Sequence, residues 1–203
     1  MVALMKSMRR ERNGAVADAM CTSRSGLNYG VSLPTVREIA RAEEKDYDFA
    51  KMLWTQDVRE LRLAALHIAD PEQLTAEEFA LWAEGIRDEE LAEEAAFALL
   101  SHARSFPELF AGWIASEKPL LRYAALQAAS RHEAISSAWI APATRALDGA
   151  FSAHEHCLVA NGLIALLSKL ALKSAEDKAA VKTAVETLTD EYVREEIGWR
   201  LEY

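Results

Sequence analysis

Apolar residues recur at helical spacing along almost the whole chain. Leu4, Met5, Met8, Val16, Ala19 and Met20 share one helical stripe and predict a helical first segment. Ser25-Gly26-Leu27-Asn28-Tyr29-Gly30 interrupts it, and Pro34 then suits the first turn of a new helix, where its missing N–H would be unpaired anyway. A short helix is predicted over residues 46–54. Asp57 is expected to cap a run over 58–69, which Asp70-Pro71 ends. Thr75-Ala76-Glu77-Glu78 reads as a capping box opening the next apolar run. Asp88 caps another, and Pro107 and Pro119 each start one. No stretch alternates apolar and polar residues long enough to argue for a strand. The fold class predicted is all-α.

The helices also repeat. Arg62-Leu-Ala-Ala-Leu66 aligns with Arg122-Tyr-Ala-Ala-Leu126, and Glu93-Glu-Ala-Ala-Phe97, Val159-Ala-Asn-Gly-Leu163 and Glu195-Glu-Ile-Gly-Trp199 fall in the same register. The starting positions 62, 93, 122, 159 and 195 are spaced as one helix pair per unit, which predicts an α-α superhelix, a solenoid of HEAT-like helix pairs. The reading is one domain over 1–203, with a basic N-terminal helix at 1–24 and stacked helix pairs over 34–203. The small pairs Ala64-Ala65, Ala95-Ala96, Ala124-Ala125, Asn161-Gly162 and Ile197-Gly198 are expected where inner helices approach closely, because a large side chain would hold them apart. Residues just before each pair, namely Arg62, Leu63, Glu93, Glu94, Arg122 and Tyr123, would recur on one face, expected to be the concave one.

Composition narrows the class. Cys21 and Cys157 are too few for a disulfide framework and suit a reducing compartment. No apolar run approaches the ~18 residues of a membrane span. The N-terminal basic cluster follows the apolar residues, the reverse of a signal peptide, so a cytoplasmic protein is expected. The net charge of −9 is unevenly placed: residues 1–41 carry +4 and the remainder −13. A basic first segment on an acidic body can contact a polyanion locally; a solvated, charged helix has the same composition.

Several stretches resemble a known family. They are Gly26-Leu-Asn-Tyr-Gly-Val-Ser-Leu-Pro-Thr-Val-Arg-Glu-Ile-Ala40, Leu53-Trp54, Val58-Arg59-Glu60-Leu61-Arg62, and Trp113-Ile114 with Leu120-Leu-Arg-Tyr-Ala-Ala-Leu126. Together they are similar to the DNA alkylation repair (AlkD-like) HEAT-repeat family, and the opening Arg9-Arg10, Asn13-Gly14 and Asp18-Ala-Met20 resembles a divergent branch of it. The Tyr-Gly-Val, Pro and Arg-Glu-Ile-Ala motif is the most specific part and reads as structural. The resemblance implies DNA glycosylases of N3- and N7-alkylated purines. In these an Asp steadies the developing sugar cation beside a Trp, with an Arg nearby, which is electrostatic catalysis assisted by an aromatic face. Carried over by position, Glu94 stands at the Asp, Glu90 at the Trp, and Tyr123 at the Arg with Arg122 adjacent. A carboxylate survives while the aromatic and the guanidinium do not. A solvated acidic face is the preferred reading of Glu90, Glu93 and Glu94 over a catalytic one, and Glu90 and Glu94 are like charges one turn apart.

Two readings of function follow. One is a duplex-DNA-binding protein of the alkylation-repair type with glycosylase activity weak or lost. Glu94 would be its catalytic carboxylate and Arg9, Arg10, Arg12, Arg62, Arg122 and Tyr123 its DNA contacts. The other is a non-enzymatic scaffold gripping a protein partner. No cofactor or metal is expected: His154-Glu-His156-Cys157 gathers ligand types, but neighbours two apart on a helix diverge. The five tryptophans, Trp54, Trp82, Trp113, Trp139 and Trp199, lie in apolar helical patterns and are expected in the core.

Overall fold

The computed structural model of the chain describes residues 1–20 and 27–202; Cys21, Arg24 and Ser25-Gly26 lie outside the described residues. Among those described there are thirteen α-helices and no strand, with one isolated bridge between Leu27 and Val58. The helices divide into two compact units, Met1–Arg104 and Ser105–Tyr203.

The first unit holds α1 (Val2–Arg10), α2 (Gly14–Met20), α3 (Leu33–Arg41), α4 (Tyr47–Trp54), α5 (Arg59–Ile68), α6 (Phe79–Gly85) and α7 (Glu89–Ala98). Every residue of α5 is buried, because α3 and α7 pack on it from two sides and α4 from a third. The expected first helix is two, α1 and α2. The break between them is fixed by the loop at Gly30, whose φ of +70° is the left-handed region that only glycine enters without strain. A Cβ there would also lie 2.1 Å from the Asn13 carbonyl oxygen. The Asn13 N–H donates to Tyr29 O at 2.9 Å, so the loop pins the start of α2.

Helix starts follow the sequence signals in part. Ser32, Asp46 and Asp88 accept from the backbone N–H of Thr35, Phe49 and Leu91, and Pro34 sits in the first turn of α3. Two predicted caps are replaced. Val58 stands at the N-cap of α5 without a side-chain bond, because the Asp57 carboxylate is taken by Arg62 and Arg87. Thr75 makes no capping bond to the backbone, and Glu78 instead accepts from the Tyr47 hydroxyl at 2.6 Å and the Lys51 ammonium at 2.9 Å.

The second unit holds α8 (Phe106–Ile114), α9 (Pro119–Ala129), α10 (Ile140–Arg145), α11 (Ala153–Ala171), α12 (Ala175–Thr187) and α13 (Glu191–Glu202). Pro107 and Pro119 sit in the first turns of α8 and α9, as predicted. The long α11 lies between α9 and α13, its apolar stripe buried against both. At its closest approach to α9 stands Gly162, where an added Cβ would fall 2.9 Å from the Leu126 Cβ. Ala64-Ala65, Ala95-Ala96 and Ala124-Ala125 are buried as the close-packing argument requires. Asn161 and Gly198 are not: Asn161 is exposed, and nothing lies within 4 Å of a Cβ built on Gly198. Trp54, Trp82 and Trp113 are core residues, Trp139 is half-buried on Phe110, and Trp199 is 63% exposed.

Candidate functional site

The site of interest lies within the first unit, where α3, α5 and α7 meet. Glu94 on α7 is 1% exposed. Its carboxylate accepts from Arg37 of α3 through Nε at 2.8 Å and Nη2 at 2.5 Å, and its Oε1 is also bonded to His67 Nε2 of α5. Burial alone would raise the pKa of this carboxyl, but the hydrogen bonds and charges of Arg37 and His67 outweigh it and hold it at about 2. Glu94 is therefore an ionised carboxylate, neutralised by its neighbours and withdrawn from solvent.

One turn earlier, Glu90 accepts a bidentate pair from Arg59 of α5, at 2.6 Å from Nε and 2.5 Å from Nη2. Arg59 is itself buried and donates through Nη1 to Val31 O and Glu60. The Glu60 carboxylate accepts from the N–H groups of Tyr29 and Val31 at 3.0 and 3.2 Å. Two guanidiniums thus resolve the repulsion expected between Glu90 and Glu94. The Tyr-Gly-Val stretch is structural: its backbone is clamped to α5 by Glu60 and Arg59. Arg37, from the Arg-Glu-Ile-Ala stretch, reaches the carboxylate. Only Glu93 of the three glutamates is exposed, so the solvated acidic face is confined to it, with Glu90 half-buried and paired.

Toward solvent, Arg37 lies over the Phe97 ring, its Cζ 5.1 Å from the ring centroid. Phe97 is 43% exposed although it is a large apolar residue on α7. Arg37, Arg59, His67 and Phe97 were missed by sequence reasoning. One signal was available for Arg59 and Glu90, which are 31 residues apart. That is the offset between Arg62 and Glu93 in the first two register positions, and equivalent positions in adjacent repeats face one another. Arg37, 57 residues from Glu94, carries no such mark.

Three of the expected DNA contacts are turned inward or tied down. Arg62 is 2% exposed, donates to Trp54 O and Asp57, and has its Nη1 buried without a hydrogen-bond partner. Burial, with Arg87 nearby, lowers its pKa. Tyr123 is buried in the second unit against the face of α11 that carries Gly162. Arg122 is half-buried and donates to the carbonyl oxygens of Ser116, Ala146 and Asp148, which ties down the turns around α9 and α10. The physical reason is shared: positions beside a close-packed seam are themselves enclosed by the neighbouring helices. Arg9, Arg10 and Arg12, by contrast, are exposed, with Arg9 over the Tyr29 ring.

Among the described residues no group of three or more His, Cys, Asp or Glu side chains could hold a metal ion, and no helix is long and apolar enough to cross a membrane. His156 pairs with Asp190, and Ser152 with Glu155 forms the capping box that starts α11.

The model of the family described as DNA alkylation repair enzyme matches residues 3–148. No curated protein matches the chain. A solved structure described as "a new family of proteins related to the HEAT-like repeat DNA glycosylases with affinity for branched DNA structures" matches with a TM-score of 0.73 and 15% identity, covering 99% of this chain and 95% of that chain. At that identity the likeness speaks for the HEAT-like helical fold.

Proposed function

Because the chain belongs to the DNA alkylation repair enzyme family, we propose that it is a DNA-binding protein of that family in which alkylpurine excision is weak or lost. The observation that carries this reading is the state of Glu94, the residue that the resemblance aligns with the family's catalytic Asp. An excising carboxylate must present its charge to the sugar cation as the base departs. Here both oxygens are already engaged by Arg37 and His67, and the group is buried. Bringing it to a sugar would require breaking a bidentate ion pair. The positions that the resemblance assigns to the aromatic and the cation hold instead Glu90, paired with Arg59, and the buried Tyr123.

DNA binding is supported by family membership and by the exposed cations of α1 and the residues after it, Lys6, Arg9, Arg10 and Arg12. The structurally similar protein is described by its affinity for branched DNA, and we extend DNA of that kind, beside simple duplex, to this chain. The test measures two quantities: 7-methylguanine release from methylated duplex by the parent and Glu94→Gln, and DNA binding at two salt concentrations. Expected are no release from either protein and binding that weakens as salt rises. Release by the parent that Glu94→Gln abolishes would overturn the loss of excision. Absence of binding even at low salt would overturn the DNA reading and favour a protein-binding scaffold.

A further inference from the structure

We propose that Phe97 and Arg37 form a stacking platform that receives an unpaired nucleobase, of the kind exposed at a branch point, and that Glu94 acts as the positioning residue for that platform. This rests on the DNA-binding reading above. The first observation is an exposed phenylalanine on a helix whose other large apolar side chain, Leu91, is buried. Phe97 keeps 43% of its surface exposed, and Arg37 is laid across it at 5.1 Å. The second is that Arg37 is not a mobile surface cation. Its guanidinium is fixed by two hydrogen bonds to Glu94, and Glu94 is fixed in turn by His67 of α5. A buried carboxylate with no solvent access thus sets the plane of an arginine, and that arginine backs an aromatic ring.

The charge around the platform selects the ligand. Arg37, Arg59 and His67 are each paired with carboxylates of Glu60, Glu90 and Glu94, so the cations of the cluster are already engaged. Nothing in it draws in a phosphate, and Glu93 adds a further exposed carboxylate on the same helix. What remains attractive is a flat, polarisable, uncharged surface, to which a nucleobase stacks in a sequence-tolerant way. A base inside a duplex has both faces covered by its neighbours. Only an unpaired base, at a junction, flap or bulge, has a face to offer. Phosphate attraction is left to the exposed arginines of the first segment, in the same unit.

The experiment compares the full chain with Phe97→Ala and Phe97→Trp. The ligands are a three-way junction carrying an unpaired 2-aminopurine at its branch point and a fully paired duplex of the same length, at one salt concentration. Phe97 is exposed, so removing its ring leaves the core intact. The parent is expected to bind the junction more tightly than the duplex and to quench the 2-aminopurine. Phe97→Ala is expected to lower junction affinity by about 5-fold or more, the scale of one lost base–aromatic stack. It should also abolish the quench while leaving duplex affinity within about 2-fold, and Phe97→Trp should restore both. Junction binding and quenching unchanged in Phe97→Ala would overturn the platform while leaving DNA binding intact. An equal loss on both ligands would overturn it as well, since a stack on an unpaired base has no counterpart in the duplex. A parent that binds neither ligand overturns this inference together with the reading it rests on.

Discussion

Glu94 sits between a guanidinium and an imidazole at a depth where an unpaired carboxylate would be too costly to keep. Its folded pKa of about 2 lies below the ordinary 4.5, so between those values the unfolded chain binds the proton and the folded one does not. The stabilisation is therefore fully present above about pH 4.5 and is lost as the pH falls toward 2. Glu94→Gln removes that dependence. Urea unfolding at pH 5, 3.5 and 2.5 should show the parent losing stability more steeply than the variant, and parallel losses would show that the ion pair is not formed. At neutral pH the variant leaves Arg37 without its counter-charge and is expected to be less stable by about 3 kcal/mol. The sequence showed that a carboxylate occupies this position but not that it is sealed. Its partners come from α3 and α5, and only the packing of those helices brings them within reach.

At the scale of helices, close approach is what the small-residue pairs encode. Ala125 is fully buried on α9, the helix that faces Gly162 of α11. Ala125→Leu adds three carbons where there is no space and is expected to cost about 1–3 kcal/mol. An unchanged thermal midpoint would show that α9 does not pack in this register. The pattern of helices was legible because each signal acts locally: Pro34, Pro107, Pro119 and Asp88 all stand at helix starts, where φ restriction or a capping carboxylate suits the first turn. Asp57 and Thr75 misled because a competing partner decides where a polar side chain goes. Asp57 binds the two arginines Arg62 and Arg87. The same limit hid the candidate site. Arg62 and Arg59 are both arginines on α5 three residues apart, and only tertiary packing buries one against Trp54 O and aims the other at Glu90.

For the whole molecule the deciding quantity is the placement of charge. A chain of net −9 approaches DNA only if its cations are concentrated. With Arg62 buried and Arg122 bound to carbonyl oxygens, the exposed cations left among the expected contacts are Arg9, Arg10 and Arg12. Leu4 and Met8 are buried on α1, which packs on α3, so Arg9 and Arg10 project from an anchored helix end, with Arg12 just beyond it. Each phosphate neutralised releases counterions and adds about 0.9 to the slope of log affinity against log salt. Replacing all three arginines with glutamine is therefore expected to reduce that slope by about 2 to 3 and to weaken duplex and junction binding alike. The substitutions lie on exposed positions and should leave the thermal midpoint nearly unchanged. Titrations of parent and triple variant at 50, 100 and 200 mM salt give both slopes. Equal slopes would place the phosphate contacts on other residues and remove the first segment from the DNA-binding surface.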